Sequence, residues 1–499
     1  MAVRCVLCVC VGLLLVVAFV PVCSAGSPVG PRTDPRTTTA TSGGPAEPDC
    51  QQAQGPAPKT DPRTITATSG GPAGLSCQQV LGPVLRVVGD WQVEVTTTAP
   101  AAKTVLAVPP AAAVSVTAER CVLPLWDAKA SGWRRGAVLQ GVRAQECTSR
   151  DLLDPASVQV RAGAAADSLL YQKGEDYELE PAWATVGRLP QGRIAAAQPV
   201  YVSYRYTPLR IDSVVRDRDG QVKLRAGAPH AAAPLPPEVA AGELRLANIW
   251  LPGPIAKLSE DLLFPILEQS YPEAPRSSPS VAERWLPKTM QKLRAGQPLR
   301  ILAWGDSVTV GSFVPDPDRN RWQAQFVARL GQRFPQARIE LVTEAWGGRN
   351  TGTYLAEPPG SVHNYQEKVL GARPDLVVSE FVNDAGLNEA QVEQRYSKLL
   401  ADFQKIGAEW IILTPHYTRP DMMRLTRERE IDDDPRPYVA ALRKFAGQHR
   451  VALADASLRW GRLWRQGIPY RSLLLNAINH PDERGMRLFA DSLIALFPE

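Results

Sequence analysis

The sequence predicts an α/β fold for residues 297–499, a parallel sheet between two layers of helices, preceded by an all-β, sandwich-like domain at 83–227. Two patterns carry this expectation. After residue 297 short apolar runs alternate with helical segments, the arrangement that builds a parallel sheet covered on both faces. Between 83 and 227 short segments rich in Val, Thr and Tyr are separated by turn residues, the spacing of an antiparallel sandwich.

At 499 residues the chain is long for one domain, and two or three folded units are expected. The formal net charge of +5 is small for this length and the basic residues form no tract, so nucleic acid is not suggested as a partner. Residues 1–25 carry one early Arg4, an apolar run from Val11 to Val20, and Ser24 and Ala25 before Gly26, the pattern of a secretory signal peptide. That run is short for a membrane span, so a secreted or periplasmic protein with no stable membrane anchor after cleavage is expected.

Cys5, Cys8, Cys10 and Cys23 leave with the signal. Cys50, Cys77, Cys121 and Cys147 then meet an oxidising compartment, where disulfides are expected. Cys50 with Cys77 and Cys121 with Cys147 is the sequence-local pairing, one of the three connectivities that four cysteines allow. No CxxC or nearby His accompanies them, so no metal site is expected.

Residues 33–52 (TDPRTTTATSGGPAEPDCQQ) recur almost unchanged at 60–79 (TDPRTITATSGGPAGLSCQQ). The units are rich in Pro, Gly, Ser and Thr and carry no apolar face to stack, so 26–82 reads as a disordered linker. Strands are predicted at 91–97, 113–117, 157–161 and 199–206, separated by turns such as Lys173-Gly174-Glu175-Asp176 and Arg218-Asp219-Gly220. The aromatic residues among them (Trp126, Trp133, Tyr171, Tyr177, Trp183, Tyr201, Tyr204, Tyr206) read mostly as core or cross-strand pairs, with stacking on sugar rings as the alternative. Asp212 and Asp217 read as solvated strand-end charges, and Asp432-Asp433-Asp434 as a solvated turn. Residues 228–296 read as an extended connection with a short helix at 258–269. Beyond it, strands are predicted at 299–304, 337–343, 375–381, 409–414 and 451–454, and helices at 320–334, 364–370, 389–406, 437–449 and 481–496.

The candidate chemistry lies just after these strands, where parallel sheets bind ligands. Ser307 stands where the first strand gives way to a tight turn, a place that presents a hydroxyl above the sheet edge. Gly305-Asp306-Ser307 followed by Thr309 and Gly311 resembles the opening block of the SGNH, or GDSL, family of esterases and lipases, with Val308 at the family's Leu. Three further blocks follow in the family's order. Trp346-Gly347-Gly348-Arg349-Asn350-Thr351 resembles its glycine block, Val382-Asn383-Asp384 its Gly-x-Asn-Asp with Phe381 in the glycine's place, and Asn476-Ala477-Ile478-Asn479-His480 its histidine block. Where the family usually carries Asp three residues before the His, Ala477 stands.

The resemblance implies a flavodoxin-like three-layer SGNH hydrolase domain and a serine esterase needing no cofactor. It gives Ser307 as nucleophile, His480 as general base, and Ser307, Gly348 and Asn383 as oxyanion donors, with Gly347 as the alternative to Gly348. Asn476 is the first candidate to orient His480, with Asp482, Asp455 or a backbone carbonyl as alternatives. His416, after the fourth strand, is a candidate substrate contact or an ordinary strand-end histidine. The expected substrate is an ester, foremost an acetylated polysaccharide. The alternatives are a lysophospholipase- or thioesterase-like lipid hydrolase, and a non-catalytic carbohydrate-binding protein on a degenerate hydrolase domain.

Overall fold

The computed structural model describes residues 82–98, 101–275 and 277–499. The predicted signal segment, the tandem repeat, Cys50 and Cys77 lie outside them. The described residues belong to one compact unit.

The expected parallel sheet is present. Its strands are β1 (Pro298–Gly305), β2 (Arg338–Ala345), β3 (Leu376–Glu380), β4 (Glu409–Leu413) and β5 (Ala452–Ala454), in the order β2-β1-β3-β4-β5 with every neighbouring pair parallel. The chain steps from β1 to β2 on one side and returns to β3 on the other, so the carboxyl ends of β1 and β3 flank the switch point where such sheets open a crevice for ligands. The helices that matter below are α1 (Ser307–Val310), α2 (Trp322–Arg333), α3 (Thr351–Ala356), α4 (Glu389–Lys405), α5 (Pro437–His449) and α6 (Glu483–Ile494).

Both faces of the sheet are buried, which is why residues 301–304 of β1 read as a continuous apolar run rather than an alternating one. Leu299, Ile301 and Ala303 share a core with Phe326 and Leu330 of α2 and Met486 and Phe489 of α6. Leu302 and Trp304 share the opposite core with Leu399 and Phe403 of α4 and Leu442 and Phe445 of α5. Phe381, at the family's glycine position, belongs to this second core, edge-on to the Trp304 ring at 4.8 Å.

The amino-terminal part is antiparallel. Pro199–Tyr206 lies between Val114–Val122 and Leu153–Arg161, and Thr185–Arg188 lies between Ala137–Val138 and Tyr177–Glu180. Val84–Gly89, Gln92–Thr98 and Ala101–Ala107 form a meander. Tyr171, Tyr177, Trp183 and Tyr204 are buried, while Trp126, Trp133, Tyr201 and Tyr206 are half-buried.

Several sequence readings need correction. Leu244–Leu251 is a strand paired with Arg210–Arg216 and with Leu263–Pro265, inside the stretch read as an extended connection. The helix read at 258–269 shrinks to one turn at Glu260–Leu262. Pro and Ala residues on either side of Leu244–Leu251 masked a segment whose side chains are buried from Leu246 onward. Asp212 is not solvated. It is fully buried, with the Arg210 guanidinium at 2.8 Å on each oxygen and the Gly227 N–H donating at 2.9 Å. The Asp432-Asp433-Asp434 run divides among three arginines, Arg465, Arg443 and Arg436. Asp433 is exposed and Asp432 half-buried, while the buried carboxylates Asp212 and Asp434 persist because each has a guanidinium partner.

The expected Cys121–Cys147 disulfide is absent, and both thiols are free. Cys121 lies beside Glu119, its Sγ 3.3 Å from Oε1, whereas Cys147 is buried and donates from Sγ to the carbonyl of Asn476 at 2.9 Å. The two side chains thus face different parts of the molecule. Burial pushes both thiols up to about 12, which leaves them protonated and unreactive.

Candidate active site

The turn after β1 is built around Gly305, whose Cβ, if present, would overlap Thr309 Oγ1 and the carbonyl of Glu380 on β3. Asp306 then caps α1: Oδ1 accepts the Val308 N–H at 3.0 Å and Oδ2 accepts the Asn383 N–H at 3.0 Å. One carboxylate therefore ties the Ser307 turn to the loop after β3. Ser307 is the first residue of α1, where the backbone N–H groups have no intrahelical acceptor.

The glycine block closes against the same turn. Trp346 donates its N–H to the carbonyl of Gly305 at 3.1 Å, and Arg349 donates to the carbonyl of Trp346 at 3.2 Å. Within that turn Gly348 has φ +71, a conformation that glycine adopts without penalty. Gly347 lies nearest the serine, since a Cβ on it would sit 3.7 Å from the Ser307 Cβ. Asn350 then starts α3 through a reciprocal cap with Thr353. The Asn383 side chain, half-buried, donates from Nδ2 to the carbonyl of Arg349 at 3.2 Å, which joins the β3 loop to the glycine turn.

His480 reaches this centre from the loop before α6. Its Nε2 lies 2.8 Å from Ser307 Oγ, and Phe313 covers the imidazole edge with ring centroids 5.1 Å apart. Burial pulls the imidazole down to about 4, so it is neutral near pH 7 and holds a lone pair. A hydroxyl paired with a neutral imidazole at this distance can pass its proton to the ring.

The outer nitrogen has a different environment from the one expected. Asn476 Oδ1 accepts three backbone N–H groups, from Ile478, Asn479 and His480, at 2.9–3.0 Å. Its Nδ2 donates to Glu146 Oε1 at 2.9 Å and to Asn479 Oδ1 at 3.1 Å. An amide NH₂ has two hydrogens and no acceptor, and these two face three neighbours, His480 Nδ1 included. Asn476 thus stands 2.9 Å from His480 Nδ1 without an acceptor to offer it, which corrects the expectation that it orients the ring as an acceptor. Glu146, from the β-rich part, has Oε1 3.8 Å from Nδ1, and its Oε2 is buried with no partner.

The structure brings Ser307, His480, the Gly347-Gly348 turn, Asn383 and Asn476 together. His416 is not part of that surface. It is fully buried against Trp460 and Phe489, and its Nε2–H donates to the carbonyl of Asn479 at 2.6 Å, so it braces the histidine loop and cannot touch a substrate. Sequence reasoning passed over Glu146 and Phe313. No spacing rule links residue 146 to residue 480, and a lone Phe carries no signal. Ala477 stands where the resemblance implies an acid.

Beneath the site lie three buried carboxyl groups. Burial and the Asp384 charge push Asp306 up to about 7, and burial followed by the Asp306 charge raises Glu380 well above its ordinary value. Both oxygens of Glu380 lack hydrogen-bond partners. Asp384 is held by Thr351 Oγ1 at 2.7 Å and Arg395 at 3.2 Å. For Glu380 the folded state keeps a proton that the unfolded chain releases above about pH 4.5, so its contribution to stability falls as pH rises from there. Glu380→Gln has no such loss. The unfolding free energy of the variant is expected to gain on that of the parent between pH 5 and 8, with a slope of up to about 1.4 kcal/mol per pH unit. A pH-independent difference in thermal unfolding would contradict this.

No curated protein matches the sequence. Residues 303–488 match the model of the GDSL-like lipase/acylhydrolase family. Similar solved structures include a two-domain esterase active on acetylated mannans, at 18% identity over 42% of this chain and 50% of that one, TM-score 0.34. They also include an acetyl xylan esterase from Geobacillus stearothermophilus, at 18% identity over 39% of this chain and 93% of that one, TM-score 0.31. A member of the lipolytic protein G-D-S-L family from Veillonella parvula aligns at 19% identity over 40% of this chain and 98% of that one, TM-score 0.29. The matched region spans about half the length of the two-domain esterase.

Proposed function

Because residues 303–488 form a domain of the GDSL-like lipase/acylhydrolase family, a carboxylic ester hydrolase, we propose that the protein is a secreted serine esterase that removes acetyl groups from polysaccharide. The observation that carries this reading is the 2.8 Å approach of Ser307 Oγ to a neutral His480 at the carboxyl edge of the sheet. Ser307 Oγ attacks the ester carbonyl and its proton passes to His480 Nε2. The negative oxygen of the tetrahedral intermediate is held by the N–H of Ser307, the N–H of Gly348 and the side-chain amide of Asn383. The intermediate collapses as the bond to the sugar oxygen breaks and His480 returns the proton to that oxygen. Water then attacks the acyl-enzyme as His480 takes one of its protons, and when the bond to Ser307 Oγ breaks that oxygen recovers the proton from His480, so acetic acid leaves and the serine hydroxyl and neutral imidazole are restored.

Asn383→Ala removes one oxyanion donor. Its turnover on an acetyl ester is expected to fall roughly 100- to 1,000-fold with little change in KM. Steady-state kinetics check this, and a change confined to KM would assign Asn383 to substrate binding instead.

The rim supports a sugar as the alcohol side. Phe313 exposes 38% of its surface beside His480 and holds φ +68, a conformation that bulky residues rarely adopt. Arg349 stacks on Trp346 at 5.0 Å across the glycine turn. An aromatic face with polar groups around it suits the apolar face and hydroxyls of a sugar ring. The test is acetate release from acetylated mannan and xylan, compared with hydrolysis of short- and long-chain nitrophenyl esters. Release of acetate supports the reading, preference for the long acyl chain replaces it with a lipid substrate, and no turnover of any ester replaces it with a binding role.

A further inference from the structure

We infer that Glu146 completes the proton relay at His480, accepting the Nδ1–H of the imidazole and supplying from the β-rich part the carboxylate that Ala477 lacks. This rests on the reading of Ser307 and His480 as an acyl-transfer pair. A histidine that takes the serine proton on Nε2 must carry its own proton on Nδ1, and that N–H needs an acceptor to fix the tautomer and to stabilise the imidazolium.

The other candidates are committed elsewhere. Asn476 has its oxygen on three backbone N–H groups, and the amide nitrogen it turns toward Nδ1 is a donor that cannot accept the imidazole proton. Asp482 caps α6 through the Gly485 N–H at 3.0 Å and pairs with Arg484 at 2.7 Å. Asp455 is taken by Arg443, Thr414 and Ser457. The Asn479 carbonyl receives His416.

Glu146 is placed for the task. Its Oε1 is already held by the Asn476 amide, 3.8 Å from Nδ1, and a movement of about 1 Å brings a carboxylate oxygen into hydrogen-bond range. Its Oε2 is buried and unpartnered, and a buried oxygen in that state is costly until a donor reaches it. The backbone holding it is defined. Ala144 and Cys147 exchange hydrogen bonds at 2.6 and 3.2 Å around a tight turn, with Gln145 at φ +57, and the Cys147 thiol fastens that turn to the Asn476 carbonyl. Ala477 has φ +59 and packs against Ala144 and Ala232, so the place before His480 is filled by the same loop that delivers the acid. Glu146 is therefore a positioning residue, acting on the substrate only through His480.

The test compares Glu146→Gln and Glu146→Asp with the parent protein on an acetyl ester across pH, with thermal unfolding as a control for folding. The titratable groups facing the imidazole are Ser307 from α1, Glu146 from the β-rich turn and His416 behind Asn479, while Asn476 and Phe313 complete its surround. Turnover of Glu146→Gln is expected to fall by roughly 100- to 10,000-fold at unchanged KM, the range that spans loss of a proton-transfer partner to loss of the triad acid in a serine protease. The acidic limb of its rate profile moves to lower pH, since the imidazolium loses a negative neighbour, and Glu146→Asp recovers part of the rate. Ser307→Ala is run alongside. If it turns over like the parent, the acyl-transfer reading falls. If it is inactive while Glu146→Gln keeps the parent's turnover and acidic limb, only the assignment of Glu146 falls.

Discussion

Ser307→Ala is expected to lower turnover on an acetyl ester by roughly a million-fold, and His480→Ala by a similar factor, with KM hardly altered in either. The two side chains act as one unit. With the hydroxyl gone, the imidazole at 2.8 Å has no proton to take; with the imidazole gone, the hydroxyl is a poor nucleophile at neutral pH. The double variant should therefore be no slower than either single one, a non-additivity that separate contributions to binding would not produce. Both side chains are largely buried, so their removal also calls for a check of thermal unfolding. Residual turnover above about 1% of the parent in either variant would remove that residue from the chemistry.

The largest effect on stability is expected at Gly305. Gly305→Ala places a methyl group against Thr309 Oγ1 and against the carbonyl of Glu380. Turning the Thr309 hydroxyl aside gives no relief, because Thr309 Cβ itself lies 2.7 Å from the added methyl. The carbonyl cannot move either, because Gly305 and Glu380 are paired in the register between β1 and β3 at the centre of the sheet. Relief requires the strand end to shift, and with it Asp306, whose two oxygens hold α1 and the Asn383 loop in place. A loss of about 3 kcal/mol or more follows, at the upper end for overpacking in a close-packed interior. Denaturant unfolding reads this as a lowered midpoint at constant slope, and an unchanged midpoint would show that the turn has slack. Activity should drop with it.

The parts of the fold that were legible in the sequence are those with a strong local signal. β1, β3 and β4 each hold an unbroken apolar run, at 301–304, 376–378 and 410–413, and α5 carries its Pro at the first turn, so their types could be assigned from residue order alone. Leu244–Leu251 has the same apolar character but sits among Pro and Ala residues, and its partner strand Arg210–Arg216 is more than 25 residues earlier. Pairing of that kind leaves no periodic trace. Charges were misread for a related reason. Asp212 and Asp434 look solvated in a linear chain, and only the folded chain shows the arginine that accompanies each one inside.

Among the candidate residues, Ser307, the Gly347-Gly348 pair, Asn383 and His480 could be picked out because each lies just past a strand or ahead of a helix in a short recognisable block. Glu146 had no such block. It belongs to a turn in the β-rich part and meets Asn476 across 330 positions. His416 erred in the opposite direction: its place after β4 suggested exposure, and the depth of Trp460 and Phe489 over it could not be seen.

The docking of the histidine loop on the Ala144–Cys147 turn bears on the order in which the molecule assembles. Contacts of Ala477 with Ala144 and of Cys147 with Asn476 join segments more than 300 residues apart, whereas β1, β2 and β3 neighbour one another along the chain. Closing so long a loop costs entropy that is recovered only when the distant partners meet, so such contacts form late. During refolding the sheet can therefore be complete while the segment around His480 is still searching for its seat, and recovery of chemical competence should trail recovery of secondary structure.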